Sequence, residues 1–405
     1  MVAALLALAL AGSAGAADEP PAPAPAGSAP ASEAAEPAPP SKMAGFGAPL
    51  VTYDSNTKLG GGAFGQLVFG DPTGLQPFKA SVAAQAYATT GGYQSHYVSW
   101  DLPALAGSRW RIGGEVRRLV WTQAPYVGLG NDTPRVDPSV DPTFHQWEQR
   151  SWRTRLTARR SLRGSSWELY GGYDLRFQNL TRLPGSQLEL DRPQGAGGGR
   201  MAWAQVGAFY DTRTNEIDPY DGVALDFAGR SAGPWFGSDW IATGMHTSAR
   251  RWWAPHQRVI LAGRVMADAV WGAPPFFTRG HLGGLSNTIV GGGTLLRGLP
   301  SARLRGDAVF ALQGEVRFRV GAATILRKVD LSFMLVPFVD AAQVVVWDEP
   351  DEGLDPHVTG GGGVRVNAND LLVVRADVGV GVERYRADPT RRPLVQFYLL
   401  SEHPF

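Results

Sequence analysis

The sequence predicts an all-β fold, a 16-stranded antiparallel transmembrane β-barrel, on three observations. After Met43 the chain runs in short segments where apolar residues alternate with polar or small ones, which is the two-residue period of a strand. Past the first residues no stretch approaches the ~20 apolar residues a membrane helix needs. Yet only 19% of residues are charged, below the roughly 25% of soluble domains. Finally, the longest connections between segments all fall on one side of an up-and-down meander, the asymmetry of outer-membrane barrels. Without helices, only a closed barrel satisfies its backbone polar groups in lipid.

The elements follow in order. Met1 to Ala17, MVAALLALALAGSAGAA, has a short apolar run and an A-x-A-like site at Ala14-Gly15-Ala16; it reads as a secretory signal peptide. With no cysteine in the chain, a lipoprotein signal is excluded. Residues 18–43, mostly Pro, Ala, Glu and Ser, cannot bury enough apolar surface to fold and read as a disordered linker. The barrel domain is 44–405. Strands are expected at 48–56, 60–70, 77–88, 93–103, 108–121, 145–160, 165–178 and 201–212. The second half places them at 221–230, 236–250, 257–271, 307–320, 329–346, 358–367, 371–383 and 393–404.

The clearest strand is Leu371–Glu383. Arg375, Asp377, Gly379, Gly381 and Glu383 share one face; Val374, Ala376, Val378, Val380 and Val382 share the other. Asn367-Ala368-Asn369-Asp370 reads as the hairpin turn before it. The long connections are 122–144, 179–200 and 272–306, whereas Ser161–Gly164 and 368–370 are short. A soluble sandwich also has one apolar face but predicts no such asymmetry. Thirteen Trp and eleven Tyr supply interfacial girdles.

Charge and chemistry narrow the function. A net charge of +1 gives no field for nucleic acid. The absence of cysteine suits an oxidising compartment and removes disulfides and thiolate metal sites. The seven His are scattered, and no H-E-x-x-H, G-x-S-x-G or phosphate-loop pattern occurs; no catalytic residue, metal or cofactor is expected. Arg153, Arg155, Arg159 and Arg160 read as lumen-facing or interfacial strand residues.

Five segments carry a resemblance to a known family. Leu296-Arg297-Gly298-Leu299 follows Gly291-Gly292-Gly293. Phe338-Val339-Asp340-Ala341-Ala342 and Gln313-Gly314-Glu315-Val316-Arg317-Phe318 lie on the next strands. Asp211-Thr212-Arg213-Thr214-Asn215 is followed by Pro219 and Gly222, and Tyr126-Val127-Gly128-Leu129-Gly130-Asn131-Asp132 opens a long connection. Taken in their order along the chain, they resemble the BamA/TamA-type outer-membrane assembly barrels, the bacterial surface antigen superfamily, in its branch without POTRA domains. The resemblance spans essentially 44–405.

The resemblance implies a long sixth extracellular loop folded into the lumen, with Arg297 at its tip meeting inward-facing Asp340 and Glu315. Asp211, Arg213, Asn215, Pro219 and Gly222 match a recurrent turn of the family. Leu299 stands where an aromatic is usual, and Ala342 where a Gly is. Phe405 matches the terminal aromatic by which such barrels are recognised for insertion. The last strand places Val395, Phe397, Leu399, Ser401, His403 and Phe405 on the lipid side. Pro404 cannot donate to a ladder, so pairing is expected only up to His403, with a weak or short seam to the first strand.

By resemblance the chain inserts or exports proteins, or moves lipids, across the outer membrane. Its partners would be outer-membrane lipid, an unfolded barrel substrate and a separate periplasmic protein, with homo-oligomerisation open. The linker is too short for a POTRA domain, so another protein supplies that role or substrate handling differs. A passive pore or structural barrel that keeps the loop without the assembly activity is the alternative.

Overall fold

The computed structural model describes residues 43–70, 79–103, 105, 108–285, 288–325, 329–348, 355–368, 372–386, 388–400, 403 and 404. The expected signal peptide, the linker up to residue 42, and Phe405 lie outside the described residues. Eight strands form the first half: β1 (Met43–Asp54), β2 (Lys58–Phe69), β3 (Ala80–Thr89), β4 (Tyr93–Leu102), β5 (Trp110–Pro125), β6 (Gln146–Ser161), β7 (Trp167–Arg182) and β8 (Gly199–Asp211). The second half adds β9 (Gly222–Ala232), β10 (Ala242–His256), β11 (Val259–Gly272), β12 (Ala308–Ile325), β13 (Val329–Val345), β14 (His357–Ala368), β15 (Leu372–Tyr385) and β16 (Asp388–Leu400). Each pairs antiparallel with its neighbours, and β1 meets β16 to close the barrel.

Side chains alternate as a membrane barrel requires, with the apolar set facing out. On β15 the inward set is Arg375, Asp377, Gly379, Gly381 and Glu383, all buried, while Val378, Val380 and Val382 are exposed. β10 repeats this, with Met245 exposed and His246 and Ser248 buried. A soluble fold would hide that apolar surface; a continuous exposed band of it marks contact with lipid. Among the described residues no helix is long and apolar enough to cross a membrane.

The connections 126–145, 183–198 and 273–307 lie at one end, and short ones such as 162–166 and 257–258 at the other. The long ones pack on each other. Tyr126, Trp147, Leu188, Phe276 and Phe277 share one buried cluster. A second joins Leu295, Leu296 and Leu299 to Met266, Val309, Ala342 and Val344 of the wall.

Among the described residues the seam is paired over a shorter stretch than any other junction. β1 and β2 pair over twelve residues, whereas among the described residues β1 and β16 pair at Tyr53↔Leu399 and Asp54↔Tyr398 alone. Ser55 adds a backbone bond to the Phe397 carbonyl (3.0 Å) and accepts one from its N–H on Oγ (2.8 Å).

Several expectations need correction. β1 begins at Met43, so the linker does not reach that residue. β16 spans 388–400 instead of 393–404, and β15 continues through Tyr385, which pairs with Asp388. The charged run Glu383–Arg392 reads as a loop because hydrophobicity stops at the edge of the lipid, but the hydrogen-bond ladder does not. Among the described residues β16 ends at Leu400, and His403 lies outside the strand with its side chain buried instead of facing lipid. Its Nε2 lies 2.9 Å from the Asp218 carboxylate, both side chains buried, and the Pro404 carbonyl accepts from Arg264 (3.3 Å). The girdle expectation fails for Trp147 and Trp252, which are buried. Trp147 packs edge-on to loop Phe276 at 5.3 Å.

Candidate functional site

The longest connection, 273–307, presents Arg297 to the inward faces of β12–β15. Local sequence sets the approach. Gly298 takes φ +118°, a left-handed conformation that disfavours side chains. A Cβ there would lie 2.7 Å from the Val380 carbonyl carbon. Gly379 and Gly381 complete the fit from the β15 side: a Cβ on either would fall within 3 Å of the Arg297–Gly298 backbone. The two inward glycines are therefore the recess in which the loop tip sits.

Arg297 is fully buried. Its backbone N–H (2.9 Å) and Nε (2.8 Å) donate to Asp340 Oδ2, and Nη2 donates to Oδ1 (2.8 Å). Nη1 donates to Glu315 Oε1 at 2.5 Å, and the guanidinium stacks 3.6 Å from the Phe338 ring centroid. Such bidentate, charge-assisted contacts are the strong class of hydrogen bond. Burial opposes the Arg297 charge, but Glu315, Asp340 and Asp377 outweigh it and hold the group above its usual range. The three residues matched by resemblance thus meet in one buried contact.

The cage is larger than the resemblance implied. Glu315 also accepts from Arg317 Nε (3.0 Å) and Arg365 Nη2 (3.2 Å). Asp377 accepts from Arg365, and from Arg375 Nη1 at 2.6 Å. Arg375 Nη2 reaches back to the Gly293 carbonyl of the loop (2.6 Å). Four arginines face three carboxylates, and Asp218 lies 3.7 Å from Arg317 as a fourth. Arg365, Arg375 and Asp377 carried the visible inward alternation of their strands, but nothing in sequence said that a loop would cover them.

The loop tip also touches β16 of the seam and the turn that follows β1. Tyr398 on β16 donates to the Leu299 carbonyl (3.2 Å), and its hydroxyl lies 3.4 Å from the Gly298 N–H. On the other side, Ser301 N–H donates to Asn56 Oδ1 (3.2 Å) in the β1–β2 turn. Leu299 and Ala342, the two departures from the family pattern, are buried together in the apolar cluster beside the cage.

A second anchor was missed. Arg303 makes a bidentate pair with Glu383 of β15 (2.8 and 2.7 Å) and also donates to Thr133 Oγ1 (2.8 Å) and the Thr133 carbonyl (2.6 Å). The connection 126–145 thereby joins the same wall. Asn131 accepts from Val344 N–H (3.1 Å), and Gly130 N–H donates to the Arg305 carbonyl (2.8 Å). The Tyr126–Asp132 motif therefore runs between loop 273–307 and the β13 wall.

The turn 211–222 lies apart from the Arg297 tip, at the short-connection end. Asp211 accepts from Arg213 N–H (3.0 Å), Nε (2.9 Å) and Nη2 (2.7 Å). Asn215 Oδ1 accepts from Ile217 N–H (2.6 Å). Gly222 takes φ +117°, where a Cβ would meet the Thr212 carbonyl oxygen. Pro219 is buried. The turn offers Asp218 to Asn367 on β14 and to His403. The arginine run divides: Arg153 pairs with Asp174 and Arg159 with Glu168 on the inner face, while Arg160 is exposed and lies over Trp110.

The fold has solved counterparts. BamA from Haemophilus ducreyi lacking POTRA domains 1–3 aligns with TM-score 0.55 at 14% identity, over 89% of this chain and 70% of that one. CdiB from Escherichia coli aligns with TM-score 0.56 at 14% identity, over 89% of this chain and 63% of that one. CdiB from Acinetobacter baumannii gives 0.51 at 13% identity, over 89% and 60%. The chain thus spans less than two thirds of either CdiB, and at these identities the likeness is one of fold. No curated protein sequence matches the chain. The Omp85 superfamily domain matches residues 80–398, well over half of the chain, and on that match the chain belongs to the Omp85 superfamily.

Proposed function

We propose that this chain is a bacterial outer-membrane assembly or translocation barrel, in which loop 273–307 is folded into the lumen and clasps a seam that opens for substrate. The observation that carries this is the position of the loop tip. The tip segment 297–301 is anchored on the β12–β15 wall by Arg297, accepts from Tyr398 of β16 at Leu299, and reaches Asn56 in the turn after β1 through Ser301.

Two residue pairs among the described residues of the seam give it little strength of its own. The buried cage supplies what the ladder lacks: breaking a buried ion pair costs about 3–5 kcal/mol, enough to offset the entropy of ordering part of a long loop. Opening then exposes the unpaired edges of β1 and β16, and a free strand edge is a template for another strand. An incoming barrel substrate or an exported polypeptide supplies that strand, with a separate periplasmic protein or segment presenting it. As an Omp85-superfamily barrel the chain is not an enzyme, and no cofactor enters the cycle.

The test is insertion of an unfolded barrel substrate into liposomes containing the purified chain. Wild type accelerates insertion and Arg297→Ala does not, although it retains a folded barrel by heat-modifiable electrophoretic mobility. A wild type that conducts ions through a stable pore and never accelerates insertion overturns the proposal and establishes the passive-pore alternative.

A further inference from the structure

Loop 273–307 and the inner faces of β4–β7 enclose a cavity of about 410 Å³, within the range of roughly 300–1,000 Å³ usual for small-ligand sites. Its charge is one-sided. Arg117, Arg153, Arg155, Arg176 and Arg305 line it against a single lining carboxylate, Glu115. Glu115 is engaged bidentately by Arg117 (2.8 and 2.7 Å). Asp174, on the same inner face beside the cavity, accepts from Arg153 Nε (2.8 Å) and lies 3.9 Å from Arg155.

Arg176 and Arg305 have no carboxylate at ion-pair distance among the described residues. Arg305 is buried, and among the described residues its guanidinium donates to the carbonyls of Phe276 and Pro125 (3.3 Å each). A buried guanidinium without a counter-charge is costly, and burial pushes Arg305 down to about 10. His281, on the loop side, senses the same field. Burial, then Arg176, Arg305, Arg153 and Arg230, hold its imidazole well below the usual range. Its buried Nδ1 has no hydrogen-bond partner among the described residues.

We propose that this cavity is a binding site for a phosphate-type oxyanion, either free or carried on a lipid headgroup. Several guanidinium forks converging on one cavity match a compact, multiply charged tetrahedral anion better than a single carboxylate, because each fork donates two parallel hydrogen bonds. Neutral His281 adds one more polar group from the loop. The site does not depend on the assembly reading, since none of its arginines belongs to the Arg297 cage.

Isothermal titration of the full chain in uncharged detergent, with inorganic pyrophosphate as probe, tests it. Wild type binds saturably, and Arg176→Gln and Arg305→Gln each weaken binding by about ten-fold, the loss expected for one charge-assisted contact. Arg176→Lys, which keeps the charge without the fork, falls between. Folding of each variant is checked by heat-modifiable mobility. Pyrophosphate titrations in nanodiscs separate the sources. Competition by a phosphate-bearing glycolipid, absent with a neutral glycolipid, assigns the site to a headgroup; no competition assigns it to a free oxyanion. No saturable binding by folded wild type, or equal affinity in folded Arg176→Gln and Arg305→Gln, overturns the proposal.

Discussion

The inner wall carries arginines on two faces, and they are held in opposite ways. Against β12–β15, loop residue Arg297 joins Arg317, Arg365 and Arg375 opposite Glu315, Asp340, Asp377 and the turn residue Asp218, so positive and negative groups balance and the loop tip is held against the wall. Across the lumen on β5–β7, arginines outnumber carboxylates and border open space. A balanced buried network specifies one arrangement, because removing either partner strands the other. An unbalanced one stores repulsion that a ligand relieves. The same residue type thus acts as fastening on one wall and as receptor on the other.

Substitutions that remove charge from each wall break this comparison most strongly. Asp340→Ala strands Arg297 and loses three hydrogen bonds, an expected destabilisation of about 3–5 kcal/mol. It lowers the urea midpoint of the barrel in micelles and exposes loop 273–307 to protease. Arg176→Gln has the opposite sign: without phosphate it leaves the midpoint unchanged or raised, because it removes repulsion among arginines. Equal destabilisation by both would mean that the two walls do not differ.

A smaller effect sharpens the picture at connection 126–145. His145 accepts from Val136 N–H on Nε2 (2.8 Å), so Nδ1 carries the proton toward the Tyr126 carbonyl (3.2 Å). Burial, then Arg135, pushes this imidazole down to about 4. The folded value lies below the unfolded value of about 6.5. Its contribution is therefore fully present above that pH and is lost as pH falls toward 4. Amide exchange at Val136 should accelerate between pH 6.5 and 4.5 beyond its intrinsic rate, and His145→Ala should remove the excess. An unchanged pH profile in the variant contradicts the assignment.

Much of the barrel was legible because its signal is local. Alternation on β15 named the inward set Arg375, Asp377, Gly379, Gly381 and Glu383, and each is buried as read. Strand ends were less legible, because β15 and β16 run on into water where apolar periodicity stops. Arg297, Asp340 and Glu315 could be joined only because their motifs stand in a recognisable order. Arg303 and Glu383, eighty residues apart, had no such marker, since a strand carboxylate looks the same in sequence whether it faces water or a loop. His403 differs for a related reason: its alternation in sequence points to lipid, but its side chain meets the buried Asp218 of the turn 211–222.

The central claim is that the two-pair seam opens for substrate while the Arg297 loop holds it shut at rest. The chain has no native cysteine, so Ser55→Cys with Phe397→Cys places a pair across the seam, where opposed strand positions are about 4.5–5.5 Å apart. The decisive measurement is the rate at which this variant inserts a substrate barrel into liposomes, oxidised and then reduced. The account predicts that the disulfide abolishes acceleration and that reductant restores it. Full activity with the seam covalently closed would contradict it.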